Sequence, residues 1–224
     1  IQRERNTDQL YLSYSSPKTQ VRTYIYNLKT KEKKLVKEQE IPSGHNPEDY
    51  IVERLECKSH DGRMVPITIT RHRKTKIDGS ANLLLYGYGS YGNSISPSFS
   101  STRLSLINRD IIWVIAHIRG GMERGMKWWK EGKLLNKKNT FEDYIAVANY
   151  LIEKKYTSNK KIIGMGGSAG GLLMGAVVNK APKLFLGIIM AVPFVDSLTT
   201  NLDHSLPLTV GEFEEFGNAK DNKE

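Results

Sequence analysis

The sequence is poor in the features that mark secreted, metal-clustered or membrane proteins. Its 224 residues include a single cysteine, Cys57, which excludes an internal disulfide and a cysteine-rich metal site. No run approaches the roughly 18 apolar residues of a membrane-spanning helix, and the opening, IQRERNTDQL, lacks the apolar region of a secretory signal. We therefore expect a soluble, cytoplasmic protein in which Cys57 is a small buried thiol.

The charge is unbalanced, with 33 lysines and arginines against 24 acidic residues and a net charge of +9. The lysines are scattered in short runs such as KWWKEGKLLNKK at residues 127–138, a pattern typical of solvent-exposed faces. Basic stripes interleaved with base-stacking aromatics, which would indicate nucleic-acid binding, are missing. The composition therefore predicts neither a nucleic-acid nor a membrane partner, and it suggests no metal or organic cofactor.

Two patterns divide the chain. Residues 1–37 alternate apolar and polar positions in short runs, which predicts two or three antiparallel strands. Residues 38–48, EQEIPSGHNPE, hold two prolines, a glycine and an Asn-Pro pair, and are the best candidate for a linker. A second domain over residues 49–224 would open with a β-hairpin, because Asp61-Gly62 separates two alternating runs.

After this hairpin the pattern changes to apolar strands separated by helical stretches. The strand candidates are ANLLLYGYG, DIIWVIAHI, KIIGMGG and FLGIIMAVPFVD, and the helix candidates are TFEDYIAVANYLIEKK, beginning at a Thr140 cap, and AGGLLMGAVVNK. This alternation predicts an α/β fold with a doubly wound parallel sheet, whose active site lies at the carboxyl ends of the strands.

The most specific motif is G-x-S-x-G at residues 166–170, between a predicted strand and a predicted helix. That context is the one that a nucleophile elbow requires: Ser168 would sit on a strained turn, and the amide of Ala169 would point towards an oxyanion. The alternative is a glycine-rich turn in which Ser168 merely caps the helix.

A second glycine-rich segment, YGYGSYG at residues 86–92, closes an earlier strand. A phenol here, with the Ala169 amide, could complete a two-donor oxyanion hole, although an aromatic turn that packs the sheet end is the alternative. We assign His117, after the next strand, no catalytic role. Arg119 is expected to tie loops together around the site rather than to bind substrate.

Several ordered segments together resemble the prolyl oligopeptidase family, and within it the oligopeptidase B group. They are YGYGSYG, HIRGG, GMERGMKWWKEGKLLNKKNTFEDYIAVANYLI, GGSAGGLLMGAVVNKAPKLF, VPFVDSLTTNLD and LPLTVGEFEEFGN. The resemblance runs from about residue 50 to the end, and it implies an α/β-hydrolase fold. Residues 1–37 are similar to the last part of the family's β-propeller.

The resemblance implies a role for five residues. Ser168 would be the nucleophile, and the Tyr88 hydroxyl and the Ala169 amide would bind the oxyanion. Glu212 and Glu214 would hold a basic side chain by charge-assisted hydrogen bonds, although they are otherwise readable as an exposed acidic turn. The implied function is cleavage of short peptides after Arg or Lys.

The sequence departs from the family at two places. Ser96 and Ser98 stand where aspartates often form a second pocket for basic residues, which puts a preference for paired basic residues in doubt. The acid and histidine of the catalytic triad would fall beyond Glu224, and the chain opens on Ile1, so we expect an inactive fragment.

Three alternatives remain open. Asp196 and His204 are the only in-chain substitutes for the acid and base, and they follow a single strand, which disfavours them. The chain could instead be a non-catalytic remnant, or half of a split enzyme that binds a complementary C-terminal chain. A carboxylesterase would share G-x-S-x-G but would commonly carry a different oxyanion loop.

Overall fold

The structure, a computed structural model, describes residues 7–221. The first part of this range forms a three-stranded antiparallel meander of β1 (Gln9–Ser16), β2 (Thr19–Asn27) and β3 (Lys33–Glu38). The predicted antiparallel strands are confirmed for this range, and residues 1–6 of the first predicted segment lie outside the described residues. The proposed boundaries at 1–37, 38–48 and 49–224 stay predictions.

A short 3-10 turn, Pro47–Asp49, leads into the second sheet. Its strands are β4 (Tyr50–Lys58), β5 (Met64–His72), β6 (Leu83–Tyr86), β7 (Ile112–Ala116), β8 (Ile162–Gly167) and β9 (Phe185–Ala191). They lie in the order β4-β5-β7-β6-β8-β9. Strand β5 runs antiparallel to both of its neighbours, β4 and β7, whereas β7, β6, β8 and β9 are parallel to one another. The predicted hairpin and the predicted parallel sheet are both confirmed.

Helices cover both faces of this sheet. They are α1 (Ser101–Ile107), α2 (Met126–Lys130), α3 (Lys138–Glu153), α4 (Ala169–Lys180), α5 (Ser197–Leu202) and α6 (Thr209–Phe216). Successive residues of a strand point to opposite faces. Leu83 and Leu85 accordingly pack with α3 and α4, whereas Leu84 packs with α1. The two apolar layers place strands β6, β7 and β8 inside an α/β sandwich.

One helix boundary differs from the prediction. Helix α3 begins at Lys138, so Thr140 lies inside it and is not its cap. The Thr140 hydroxyl instead donates to the carbonyl oxygens of Arg119 at 2.9 Å and Gly132 at 3.2 Å. The cap prediction was wrong because a fully buried threonine found acceptors in two neighbouring loops, which the local sequence does not reveal.

No helix among residues 7–221 combines the length and the apolar character needed to cross a membrane.

Candidate active site

Ser168 stands alone between β8 and α4 in a backbone conformation that L-residues rarely adopt, with φ 55° and ψ −119°. Three backbone hydrogen bonds hold it there. Its N–H donates to the carbonyl of Ala191 at 2.9 Å, and its own carbonyl accepts from Gly171 at 2.8 Å and Phe194 at 3.0 Å. Strain of this kind persists only where the surrounding structure overdetermines it, and it concentrates at functional sites.

The side chain of Ser168 makes no capping hydrogen bond to helix α4, although it occupies the cap position. The helix-cap interpretation of this serine therefore fails, and its exposed hydroxyl is available for chemistry. Ala169 opens the helix, where backbone N–H groups lack intrahelical acceptors. The turn is tight enough to require glycine at Gly166, since a Cβ atom there would lie 2.2 Å from the carbonyl oxygen of Gly170.

The half-buried phenol of Tyr88 lies beside this serine. Burial raises the pKa of Tyr88, hydrogen bonds with the side chains of Asn93 and Ser168 oppose that rise, and the charges of Glu212 and Glu215 add smaller upward contributions. The net shift is upward from the ordinary tyrosine pKa of about 10, so the phenol is protonated at neutral pH, the form that donates a hydrogen bond. The structure thus brings together the three groups predicted around the oxyanion.

An aromatic cluster and one carboxylate lie next to Tyr88. The Tyr91 hydroxyl donates to Glu212 Oε2 at 2.6 Å, and the ring of Phe216 lies edge-on to Tyr91, with centroids 5.9 Å apart. Phe194, whose N–H bonds to Ser168, packs on Phe216 at 5.6 Å. Within residues 7–221, Glu212 is in no ion pair. A half-buried carboxylate bonded to a residue of an aromatic cluster is a suitable partner for a cationic side chain.

The structure does not bring Glu214 to the same place. Its side chain is 72% exposed and pairs with Lys133 Nζ at 3.1 Å. Residues two apart on a helix point in different directions, whereas residues three apart share a face. The residue on the face of Glu212 is Glu215, which is buried.

None of the chain's histidines, all of which fall within the described residues, hydrogen-bonds to Ser168. His117 is buried, and its Nε2 lies 2.8 Å from Thr68 Oγ1. His204 is exposed and packs its ring against Phe213, while Asp196 accepts from the Thr199 N–H as the cap of α5. The arrangement does not join Asp196 and His204 into a catalytic pair.

Arg119 does tie loops together, as expected. It is 1% exposed and bonds Asp143 on α3 and Asp61 in the β4–β5 turn. The next residue, Gly120, lies against the Tyr88 loop: a Cβ atom there would be 1.9 Å from the carbonyl oxygen of Gly89, and its own carbonyl accepts from the Gly92 N–H at 2.9 Å. The ion pairs of Arg119 therefore support the Tyr88 loop through the adjacent residue Gly120.

From the sequence, no role was assigned to Lys137 or Glu215, which form an ion pair in the structure. The lysine run that contains Lys137 was interpreted as a solvated face, yet the Lys137 side chain is only 11% exposed. The available signal was the spacing of Glu212 and Glu215, because residues three apart on a helix lie on the same face.

The α/β sandwich, with its strained serine at the carboxyl end of β8, defines an α/β-hydrolase. Residues 97–224 match the prolyl oligopeptidase family, so the chain belongs to that family.

The chain is 45% identical over 219 residues to dipeptidyl aminopeptidase BI of Pseudoxanthomonas mexicana, covering 97% of this chain and 30% of that protein. It is 42% identical over 215 residues to protease 2 of Moraxella lacunata, with 96% and 31% covered. The structure matches oligopeptidase B from Trypanosoma brucei, solved with covalently bound antipain, at a TM-score of 0.89 and 41% identity, covering 97% of this chain and 31% of that one. The chain thus spans about 30% of the length of these curated relatives.

Proposed function

We propose that the protein to which this chain belongs is a serine peptidase that cleaves short peptides after Arg or Lys through an acyl-enzyme on Ser168. The observation that carries the proposal is the strained, uncapped Ser168 beside the protonated phenol of Tyr88. Membership of the prolyl oligopeptidase family supports it.

In the reaction, the Ser168 hydroxyl attacks the carbonyl carbon of the scissile peptide bond and loses its proton to a general base. The oxyanion accepts hydrogen bonds from the Tyr88 hydroxyl and the Ala169 N–H. The proton passes to the departing amine as the acyl-enzyme forms, and water then attacks the acyl carbon and releases Ser168. Burial of Tyr88 strengthens its contribution, because the donor is preorganised and kept neutral.

Glu212 supplies the recognition of the basic side chain in this proposal. Its carboxylate already accepts one hydrogen bond, from Tyr91, and retains lone pairs for a guanidinium or ammonium group. The rings of Tyr91 and Phe216 give the aliphatic part of the substrate side chain an apolar wall. Glu214 was predicted to share this role, but it is exposed and paired with Lys133. A variant of Glu214 therefore tests whether Glu212 alone suffices to bind the basic side chain.

A segment outside residues 7–221, or a complementary chain, would supply the general base. Strand β9 supports this part of the proposal, because within the described residues it pairs only with β8 and its other edge is open. The strand and the residues that follow expose large apolar side chains, among them Ile189, Met190 and Val192, the last 85% exposed. An open edge with apolar neighbours favours the addition of another strand. Cytoplasmic location remains part of the same proposal.

The experiment is hydrolysis of a short chromogenic peptide ending in arginine, beside the Ser168→Ala variant. It is run on the 224-residue chain alone and on the protein that carries this chain together with a triad acid and histidine. We expect Ser168-dependent turnover in the second preparation and none in the first. Near-normal turnover by Ser168→Ala would overturn the elbow assignment, and turnover of esters without turnover of arginyl peptides would point to a carboxylesterase.

Antipain gives an independent readout, since it is bound covalently in the Trypanosoma brucei relative. Mass spectrometry should find an antipain adduct on Ser168 of the complete protein and none on Ser168→Ala. Serine-dependent turnover by the 224-residue chain alone would show that this chain or its dimer supplies the acid and base.

A further inference from the structure

A buried ion pair lies behind the candidate substrate pocket. Lys137 Nζ lies 3.0 Å from Glu215 Oε1, and the two side chains are 11% and 2% exposed. Neither residue was assigned a role above, and neither reaches the Ser168 hydroxyl. The pair joins the start of helix α3 to the last turn of helix α6.

Lys137 also holds the loop that carries Tyr88. Its ammonium group donates to the carbonyl oxygen of Gly89 at 2.7 Å and to Ser90 Oγ at 2.6 Å. With Glu215 as the third acceptor, all three protons of the ammonium group have partners. The residue after the oxyanion phenol is therefore fixed to a buried cation.

Glu215 anchors helix α6 at the other end. Its second carboxylate oxygen accepts from Trp129 Nε1 at 2.8 Å, so both oxygens are engaged inside the protein. Glu212 precedes it by three residues and so lies on the same helical face. Phe216, the adjacent residue, packs under Lys137 with the ammonium group 5.2 Å from the ring centroid.

The ion pair is poorly explained as a source of stability alone. Two buried charges pay a desolvation penalty that their attraction often only balances, and their best-attested use is to fix one arrangement. Burial lowers the pKa of Lys137, while the charges of Glu215 and Glu212 oppose that shift. The geometry gives this pair a definite arrangement to fix, namely the position of α6 relative to the Tyr88 loop.

We propose that Lys137 and Glu215 are positioning residues for substrate specificity, which clamp helix α6 to the Tyr88 loop and so hold Glu212 where a guanidinium group meets it. This inference rests on the proposed role of Glu212. The clamp acts on recognition of charge, because it sets the place of the carboxylate and touches no reacting atom.

The test measures binding of acetyl-arginine amide and acetyl-citrulline amide to the 224-residue chain by calorimetry. Citrulline has nearly the shape of arginine without its charge, so the ratio of the two affinities reports the Glu212 interaction and is insensitive to a general loss of folded protein. The variants are Glu215→Gln, Lys137→Met and the double variant, with Glu142→Gln, which breaks the surface ion pair with Lys180, as the matched control.

We expect the arginine-to-citrulline ratio to fall by about tenfold in Glu215→Gln and in the double variant, as misplacement of a binding group by about 1 Å is costly. The ratio should not change in Glu142→Gln. The double variant removes both buried charges together, so it keeps the test valid if a single variant unfolds. A ratio that stays at the wild-type value in a folded Glu215→Gln or double variant would overturn the inference.

Glu212→Ala separates the two proposals. If it abolishes the preference for arginine while the clamp variants keep it, the proposed function stands and the clamp fails. If Glu212→Ala leaves the preference unchanged, or the unmodified chain shows none, the proposed arginine pocket fails and the clamp with it.

Discussion

Tyr91 and Glu212 are 121 residues apart in the sequence, and a 2.6 Å hydrogen bond joins their side chains. Tyr91 itself has a positive φ of 57°, so the loop holds this bulky residue in a strained backbone conformation. Burial, reinforced by Glu212, raises the pKa of Tyr91 and keeps the phenol a donor. The bond therefore restricts the side-chain conformation of Glu212, whose carboxylate is proposed to bind the basic side chain of the substrate.

The change Tyr91→Phe removes this donor and leaves the ring in place. A hydrogen bond to a charged group contributes about 1.5 kcal/mol or more, so kcat/KM for an arginyl peptide should fall by about tenfold. Steady-state kinetics on arginyl and citrullyl peptides would check this in the protein that carries this chain together with a triad acid and histidine, with the citrullyl rate as the internal control. An equal loss on both substrates would mean that Tyr91 supports the loop rather than the carboxylate.

The change Ser168→Gly should make the protein more stable while it removes activity. Glycine adopts the φ of 55° without a Cβ penalty, whereas alanine keeps the strain. The gain of about 1 kcal/mol corresponds to a rise in Tm of about 2–4 °C for a chain of this size. Thermal unfolding of Ser168→Gly beside Ser168→Ala tests it, and equal Tm values for the two variants would show that the strain relieved does not exceed the entropy that glycine adds to the unfolded chain.

Adjacent residues on helix α3 allow a buried and an exposed ion pair to be compared directly. Asp143 is fully buried with Arg119, and Asp143→Asn should cost about 3–5 kcal/mol because it leaves a buried charge with too little compensation. Glu142 pairs with Lys180 at the surface, and Glu142→Gln should cost less than about 1 kcal/mol. Urea unfolding measures both, and similar losses would contradict the assigned burial.

The lowered pKa of Asp61 predicts that part of the protein's stability is lost in acid. Burial alone would raise its pKa, but the hydrogen bonds from Arg119 and from the Arg63 N–H, together with the Arg119 charge, outweigh burial and leave the pKa below its ordinary value. A carboxyl group with a lowered folded-state pKa contributes stability above its unfolded pKa of about 3.9, and this contribution is lost as the pH falls through the folded value. The difference in unfolding free energy between the wild type and Asp61→Asn should be smaller at about pH 3 than at about pH 6. A difference of the same size at both pH values would exclude this origin.

Much of the fold was predictable because its signals are local. Alternating runs gave the meander and the hairpin, and apolar runs gave the strands of the parallel sheet, with α4 beginning one residue after Ser168. The elbow was predictable for the same reason: a strand, a tight turn and a helix follow one another within a few residues. The Cys57 thiol is buried as expected, and burial raises its pKa to about 12.

What could not be predicted depends on contacts between distant segments. Lys137 looks like any lysine in a basic run until the Gly89 carbonyl, Ser90 and Glu215 surround it. Its burial follows from the packing of the turn before α3 against helix α6, and the lysine run contains no mark of it. Likewise, Thr140 has the residue type of a helix cap, but its acceptors belong to loops at residues 119 and 132.

The hydrogen bonds from Ser168 to Ala191 and from Phe194 to Ser168 connect the nucleophile to the last strand of the sheet and the turn beyond it. The conformation of the serine therefore depends on how firmly β9 is ordered. Under the proposed function, a chain that pairs with the open edge of β9 would act as an activator even before it contributed a base, because it would narrow the range of conformations open to the serine. Under the proposed function, a substitution that frays β9 would conversely lower the activity without altering any group proposed to touch the peptide.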